Sequence, residues 1–345
     1  MLWNVWVFLF ASRVAATESA LIQDYLYLQD IVGHVSDTLV AISQLVDENI
    51  RHFPNGGAIV QAMHVAQYMP ARRLPKPRLF PHVSAQNLRN NLQNSLLALC
   101  PEEVAVDHMC ICQERYSQLQ VFQNKTEESL AMIAVDKAAR QIIVTYRPTR
   151  TLKNQITNFD YELVQYPSAP KGVLIHHGFM AFHLSIHPQV EKGVAEFLKD
   201  PRFRTFDIQV TGYSLGAGIS IASVPSWHRF LHRTGFTNRL IIYSYAGPRV
   251  GNDAFAEYLA GLNVPITRYT NREDIISHVP IRSLGYVHVG AEFHDRSIGP
   301  NQTELILCNP NYDEDPNCGL NPHAIFSTAR HYFPFNKYLP LPPYC

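Results

Sequence analysis

The stretch Phe206-Asp207-Ile208-Gln209-Val210-Thr211-Gly212-Tyr213-Ser214-Leu215-Gly216-Ala217 decides the reading of this chain. Phe206 to Val210 has the short apolar pattern of a buried strand, and from Ala217 onward the pattern is helical. The Gly-x-Ser-x-Gly between them therefore occupies a strand–turn–helix corner. A serine on so sharp a corner takes strained dihedrals, and glycines two positions to either side let strand and helix close up. The free N–H groups of the following helix and its positive dipole end face the serine, an arrangement suited to stabilising negative charge beside it. Ser214 is thus a candidate nucleophile.

Around this corner, strand and helix patterns alternate as in an α/β sheet. The apolar runs are Leu130 to Val135, Ile142 to Tyr146, Val173 to His176, Phe206 to Val210, Leu240 to Tyr245 and Ile266 to Tyr269. Helical spacing covers Ala85 to Leu99, Val190 to Leu198, Ile219 to Leu231 and Phe255 to Leu259. Residues 135–141 read as a hairpin, so the sheet is expected to be mixed and mostly parallel.

At 345 residues the chain is long enough for one large core and a smaller second unit. Lys and Arg number 29, as do Asp and Glu, so no net field exists to hold nucleic acid or an anionic membrane. An apolar share of 46% with only 17% charged residues excludes a largely disordered chain. Leu2 to Phe10 is apolar apart from Asn4, and small residues follow at Val14-Ala15-Ala16, which suits a signal peptide over 1–16. That run is too short to span a bilayer, and no other spanning stretch exists, so no transmembrane segment is expected. Residues 17–73 read as a cysteine-free helical pro-segment ending at the dibasic Arg72-Arg73, with the main domain over 74–345. Six cysteines suggest a disulfide framework in a secreted protein, and Asn124-Lys125-Thr126 and Asn301-Gln302-Thr303 are glycosylation sequons.

A nucleophilic serine needs a base, and the base an orienting carboxylate; in α/β hydrolases they follow in the order Ser, Asp, His. Asp274 lies just past the Ile266 to Tyr269 strand, where loops leave the C-terminal edge of such a sheet, and nearby apolar residues with Pro280 would bury it. The base is less determined, with His278, His288, His294, His323 and His331 all downstream. His183 and His187 have helical spacing but lack the Glu of a zinc-protease motif, so no metal is expected.

Five motifs in order resemble the fungal class 3 lipases, secreted α/β hydrolases of the Rhizomucor type. They are Tyr146-Arg147-Pro148-Thr149, His176-His177-Gly178-Phe179, Val210-Thr211-Gly212-Tyr213-Ser214-Leu215-Gly216, Gly247-Pro248-Arg249-Val250-Gly251-Asn252 with Phe255, and Asn271-Arg272-Glu273-Asp274-Ile275. The resemblance extends from about Leu96 to Cys345. It implies an α/β-hydrolase fold with a nucleophile elbow and a short helical lid, and a Ser214–His331–Asp274 triad. His331 is preferred to His323 because His331-Tyr332-Phe333-Pro334-Phe335 matches the family's context after a two-cysteine loop. It further implies oxyanion donors at Thr149 and Leu215, and pairings Cys308–Cys318, Cys100–Cys345 and Cys110–Cys112.

The lid would fall at 150–159, with Leu152, Ile156 and Phe159 forming one apolar stripe and Gln155 standing where the family carries tryptophan. Further departures are Pro148 for glycine, Tyr213 for histidine, Arg330 for an acid and Ser277 for proline. The implied protein is a secreted monomer without cofactor that hydrolyses lipid esters at a lipid–water interface and binds no nucleic acid. One alternative is a feruloyl-type or other soluble-ester esterase of the same fold. Another is an inactive lipase-like binding protein.

Overall fold

The computed structural model describes residues 83–99, 115–148, 160–297, 304–319, 329–332 and 334–336. The expected signal peptide and pro-segment lie outside these residues. The first described helix, α1 (Ala85–Leu96), begins at Ser84, whose hydroxyl accepts from the Asn87 amide. A meander follows: β1 (Tyr116–Asn124), β2 (Ser129–Asp136) and β3 (Gln141–Tyr146), each antiparallel to the last. Next come a small hairpin, β4 (Leu163–Gln165) with β5 (Leu174–His176), and the long helix α2 (His177–Lys199).

The nucleophile strand β6 (Asp207–Tyr213) leads to α3 (Leu215–Ala222) and α4 (Val224–Arg233). Then β7 (Leu240–Tyr245), α5 (Asp253–Gly261), β8 (Ile266–Asn271), β9 (Ala291–Asp295) and β10 (Leu305–Leu307) complete the order. Eight strands form one sheet, β1-β2-β3-β6-β7-β8-β9-β10. The four junctions from β3 to β9 are parallel and the outer ones antiparallel, a mixed and mostly parallel centre as expected.

Alternation along β7 shows how the sheet separates two cores. Leu240 and Ile242 face a large cluster shared with α2, α3, α4 and α5, while Ile241, Tyr243 and Tyr245 face a smaller one with Leu88 of α1 and Phe335. β2 is buried along its whole length, which explains its unbroken apolar sequence.

Two expectations are corrected. Val173 to His176 is not a strand of the central sheet: Leu174–His176 pairs antiparallel with β4, and Ile175 bridges Gly251. Ile175 and His176 are fully buried there, so the run reads like a central strand although it is peripheral. The helix expected over Ile219 to Leu231 breaks at Ser223, because Pro225 has no N–H to continue the first helix and serves instead in the first turn of α4. Strands β1, β9 and β10 fall outside the apolar runs of the sequence.

Candidate active site

At the end of β6 the chain reverses through Ser214, with φ 56° and ψ −124°, and enters α3 at Leu215. A side chain disfavours that conformation, and the surroundings enforce it. The Ser214 amide donates to the Tyr245 carbonyl of the adjacent strand at 3.0 Å, and the Ser214 carbonyl accepts from Ala217 and Gly218. A Cβ on Gly212 would lie 2.2 Å from the Gly216 carbonyl carbon, and one on Gly216 would lie 2.1 Å from the Tyr146 carbonyl oxygen. Both glycines are therefore required by the close approach of β3, β6 and α3.

Asp274 stands just past β8, its amide on the Asn271 carbonyl at 2.9 Å. Its Oδ1 accepts from the Ile276 amide at 2.9 Å, capping a short 3-10 turn, and the residue is wholly buried. Oδ2 lies 2.8 Å from His331 Nδ1, and His331 Nε2 lies 2.9 Å from Ser214 Oγ. An ionised carboxylate only accepts, so Nδ1 carries the proton and Nε2 is left to accept from the serine hydroxyl. Three residues from distant parts of the chain thus form one continuous hydrogen-bonded line, with Ser214 half-buried at its open end.

The rival histidines have other partners. His278 bridges the carbonyls of Asp274 and Gly319, His288 meets the Ser277 carbonyl, and His294 meets the Thr270 hydroxyl. His323 lies outside the described residues. So do Thr149, the expected lid residues Leu152, Ile156 and Phe159, Cys100, Cys110, Cys112, Cys345 and Asn301.

Leu215 is the first residue of α3, so its N–H has no carbonyl partner within the helix. The end of β3 passes against Gly216, which brings the chain leading to Thr149 beside that helix end. Cys308 and Cys318 form the expected disulfide. Asn124 ends β1, with its Nδ2 donating to the Ser185 carbonyl at 3.1 Å.

A buried ionic support under the Asp274 loop escaped the sequence reading. Arg249 forks onto Glu314 at 2.7 and 2.6 Å, and its remaining nitrogen donates to the carbonyls of His278 and Pro280. Arg282 meets Asp313 at 2.6 Å and Glu314 at 2.9 Å. Burial alone would raise the Glu314 carboxyl, but Arg249 and its neighbours hold it well below the usual carboxylate range. Asp313 and Glu314 lie on the loop closed by Cys308–Cys318, so the disulfide and the ion pairs fix the same segment. The Arg in Gly247-Pro248-Arg249 was visible in sequence; its partner 65 residues away was not.

Among the described residues, Asp160, Glu162 and His177 are the one group whose ligand atoms all lie within 4.8 Å of one another, as a metal site would require. Glu162 and His177 are exposed, and exposed acidic groups of this kind are common without an ion. No described helix is long and apolar enough to cross a membrane.

Residues 143–284 match the family model for lipase (class 3). A lipase of Rhizomucor miehei is 26% identical over 175 residues, covering 51% of this chain and 47% of that one. The secreted mono- and diacylglycerol lipase 1 of Fusarium solani is 30% identical over 169 residues, covering 47% and 46%. The chain thus spans about half the length of these relatives. In three dimensions, the Rhizomucor miehei lipase propeptide complex superposes with a TM-score of 0.65 at 19% identity, covering 81% of this chain and 92% of the other. The fold is that of the α/β hydrolases.

Proposed function

From the premise that residues 143–284 belong to the class 3 lipases, we propose that this protein is a serine hydrolase of carboxylic esters, acting on acylglycerols at a lipid–water interface. The observation that carries the reading is the line Ser214–His331–Asp274, with 2.9 and 2.8 Å links, at the head of a glycine-flanked elbow. Ser214 Oγ attacks the ester carbonyl while His331 Nε2 takes its proton, and Asp274 holds the tautomer and stabilises the imidazolium. The alcohol leaves with that proton, and water then attacks the acyl-enzyme by the same route. The Leu215 N–H and Thr149 are the proposed oxyanion donors, each worth about 10²–10³ in rate. Side chains and backbone supply every group these steps use, so the reaction as proposed draws on no metal or organic cofactor.

Secretion as a monomer, with 1–16 as signal and 17–73 as a removable pro-segment, belongs to the same proposal. Its support is the apolar N-terminal run, the dibasic Arg72-Arg73, the Cys308–Cys318 disulfide, and the likeness to a lipase known as a propeptide complex. Asn124 and Asn301 are the proposed glycan acceptors. Gln155 in place of the family's lid tryptophan favours a second reading, an esterase of soluble short esters. The complete hydrogen-bonded line speaks against a fold retained only for binding.

The test is turnover of p-nitrophenyl butyrate and of emulsified long-chain triacylglycerol by the parent and by Ser214→Ala. The parent should hydrolyse both, faster on the emulsion, and the variant should lose about 10⁴–10⁶ in kcat. Equal turnover by the variant would remove Ser214 from the chemistry. Preference for the soluble ester would favour the esterase reading.

A further inference from the structure

We propose that Tyr213 is a positioning residue for the reaction, its hydroxyl holding the backbone of His331 so that the imidazole stays on Ser214; the inference rests on the serine-hydrolase reading above. Tyr213 immediately precedes the nucleophile and is almost fully buried. Its phenol O–H donates to the His331 carbonyl, and its ring lies 5.2 Å from the imidazole, tilted by 46°. Two consecutive residues therefore bracket one histidine: Ser214 meets its ring nitrogen and Tyr213 its carbonyl.

The need for such a bracket follows from where His331 sits. The described residues around it form short 3-10 turns, Ala329–Tyr332 and Pro334–Asn336, and none of these residues joins a strand of the sheet. Side chains at the ends of β6 and β8 fasten them. Besides Tyr213, Asn271 Nδ2 donates to the Arg330 carbonyl at 2.5 Å, and Tyr269 Oη accepts from the Phe335 amide at 2.7 Å. Tyr269 in turn donates to Asp295 at 2.6 Å.

Asp274 holds Nδ1 and Ser214 meets Nε2, but both of these bonds act on the ring and neither fixes the backbone from which it projects. The Tyr213 hydroxyl, on the carbonyl of the same residue, fixes that backbone. A misplacement of about 1 Å in such a site costs about 10²-fold in rate. The resembled elbow motif carries histidine at this place, so the phenol's longer reach to the His331 carbonyl is a feature of this chain.

The fold supplies a matched control. Tyr245 on β7 pairs in register with Tyr213, is equally buried, and donates its hydroxyl to the Leu88 carbonyl of α1 at 2.7 Å; Tyr245→Phe removes that hydroxyl and leaves the Tyr245 backbone carbonyl on the Ser214 amide. Removing either hydroxyl takes a buried phenol donor away from a backbone carbonyl, but only one of those carbonyls belongs to His331.

The experiment compares the full-length parent, Tyr213→Phe and Tyr245→Phe, using p-nitrophenyl butyrate kinetics, the rate of Ser214 labelling by a fluorophosphonate, and urea unfolding. Tyr213→Phe should lower kcat and the labelling rate about 10-fold with KM within twofold of the parent, while Tyr245→Phe keeps kcat within twofold at similar lost stability. Should Tyr213→Phe not fold, Asn271→Leu takes its place with the same expected split between kcat and KM. A kcat within twofold of the parent, or an equal loss in Tyr245→Phe, would overturn the inference and leave the serine-hydrolase reading intact. A parent that the fluorophosphonate does not label would instead overturn that reading.

Discussion

Replacing His187 by Phe should flatten the acid dependence of stability. His183 and His187 lie one turn apart on α2, buried against α4, with rings 4.5 Å from each other and His187 edge-on to Trp227 at 5.0 Å. Burial, with Arg229 and Arg233 adding to it, holds the His187 imidazole down to about 4. Burial, His187 and Arg229 hold His183 well below its ordinary value. The unfolded chain takes up a proton near pH 6.5, so between 6.5 and 4 it binds more protons than the folded one. Stability from His187 is therefore complete above pH 6.5 and lost as the pH falls. From 6.5 down to about 4, at about 1.4 kcal/mol per pH unit, the full loss comes to about 3.5 kcal/mol. Glu191, 3.2 Å from His187 Nε2, favours the protonated form and so trims that figure. The phenyl ring keeps the packing on Trp227 and cannot titrate. Urea unfolding at several pH values between 7.5 and 4.5, parent against variant, isolates the contribution of this histidine pair, because groups outside the pair cancel. A difference between the two that stays constant with pH would refute the reasoning.

Gly216→Ala should abolish folded, soluble protein, since its Cβ would meet the Tyr146 carbonyl at 2.1 Å, where only backbone could yield; soluble yield and circular dichroism check it. Asp274→Asn should cut kcat about 10⁴-fold, because the amide favours the wrong tautomer of His331, yet it should still fold, as an amide oxygen can accept from Ile276; kcat and urea midpoints measured together test both halves. Opening the disulfide by Cys308→Ser with Cys318→Ser should cost about 2–3 kcal/mol by the entropy of so short a ring, read as a lower urea midpoint.

The elbow was legible because its requirements are local: two glycines, a strand before and a helix after. Asp274 was legible for a related reason, its place just past a recognisable strand. His331 needed the resemblance, since five downstream histidines differ only in what they face, and His278, His288 and His294 turn out to face carbonyls or a hydroxyl. β9 escaped notice because Glu292, His294 and Asp295 are buried yet polar, each satisfied by partners distant in sequence. β5 misled for the opposite reason, an apolar run buried beside the sheet. Arg249 with Glu314, and Tyr213 with His331, are meetings of residues 65 and 118 positions apart that no local pattern announces.

The way the His331 segment is fastened separates two kinds of failure that are often treated as one. Strands β3, β6, β7 and β8 are locked by ladders of backbone bonds, whereas the described fastenings of 329–336 run through individual side chains of Tyr213, Asn271 and Tyr269. Opening free energies differ across a protein, and a segment whose described bonds lie outside the ladders falls toward the low end. Heating should thus disarm the molecule before melting it: amide exchange would quicken first around Phe335, catalysis would fade while the sheet's circular dichroism held, and cooling would restore it.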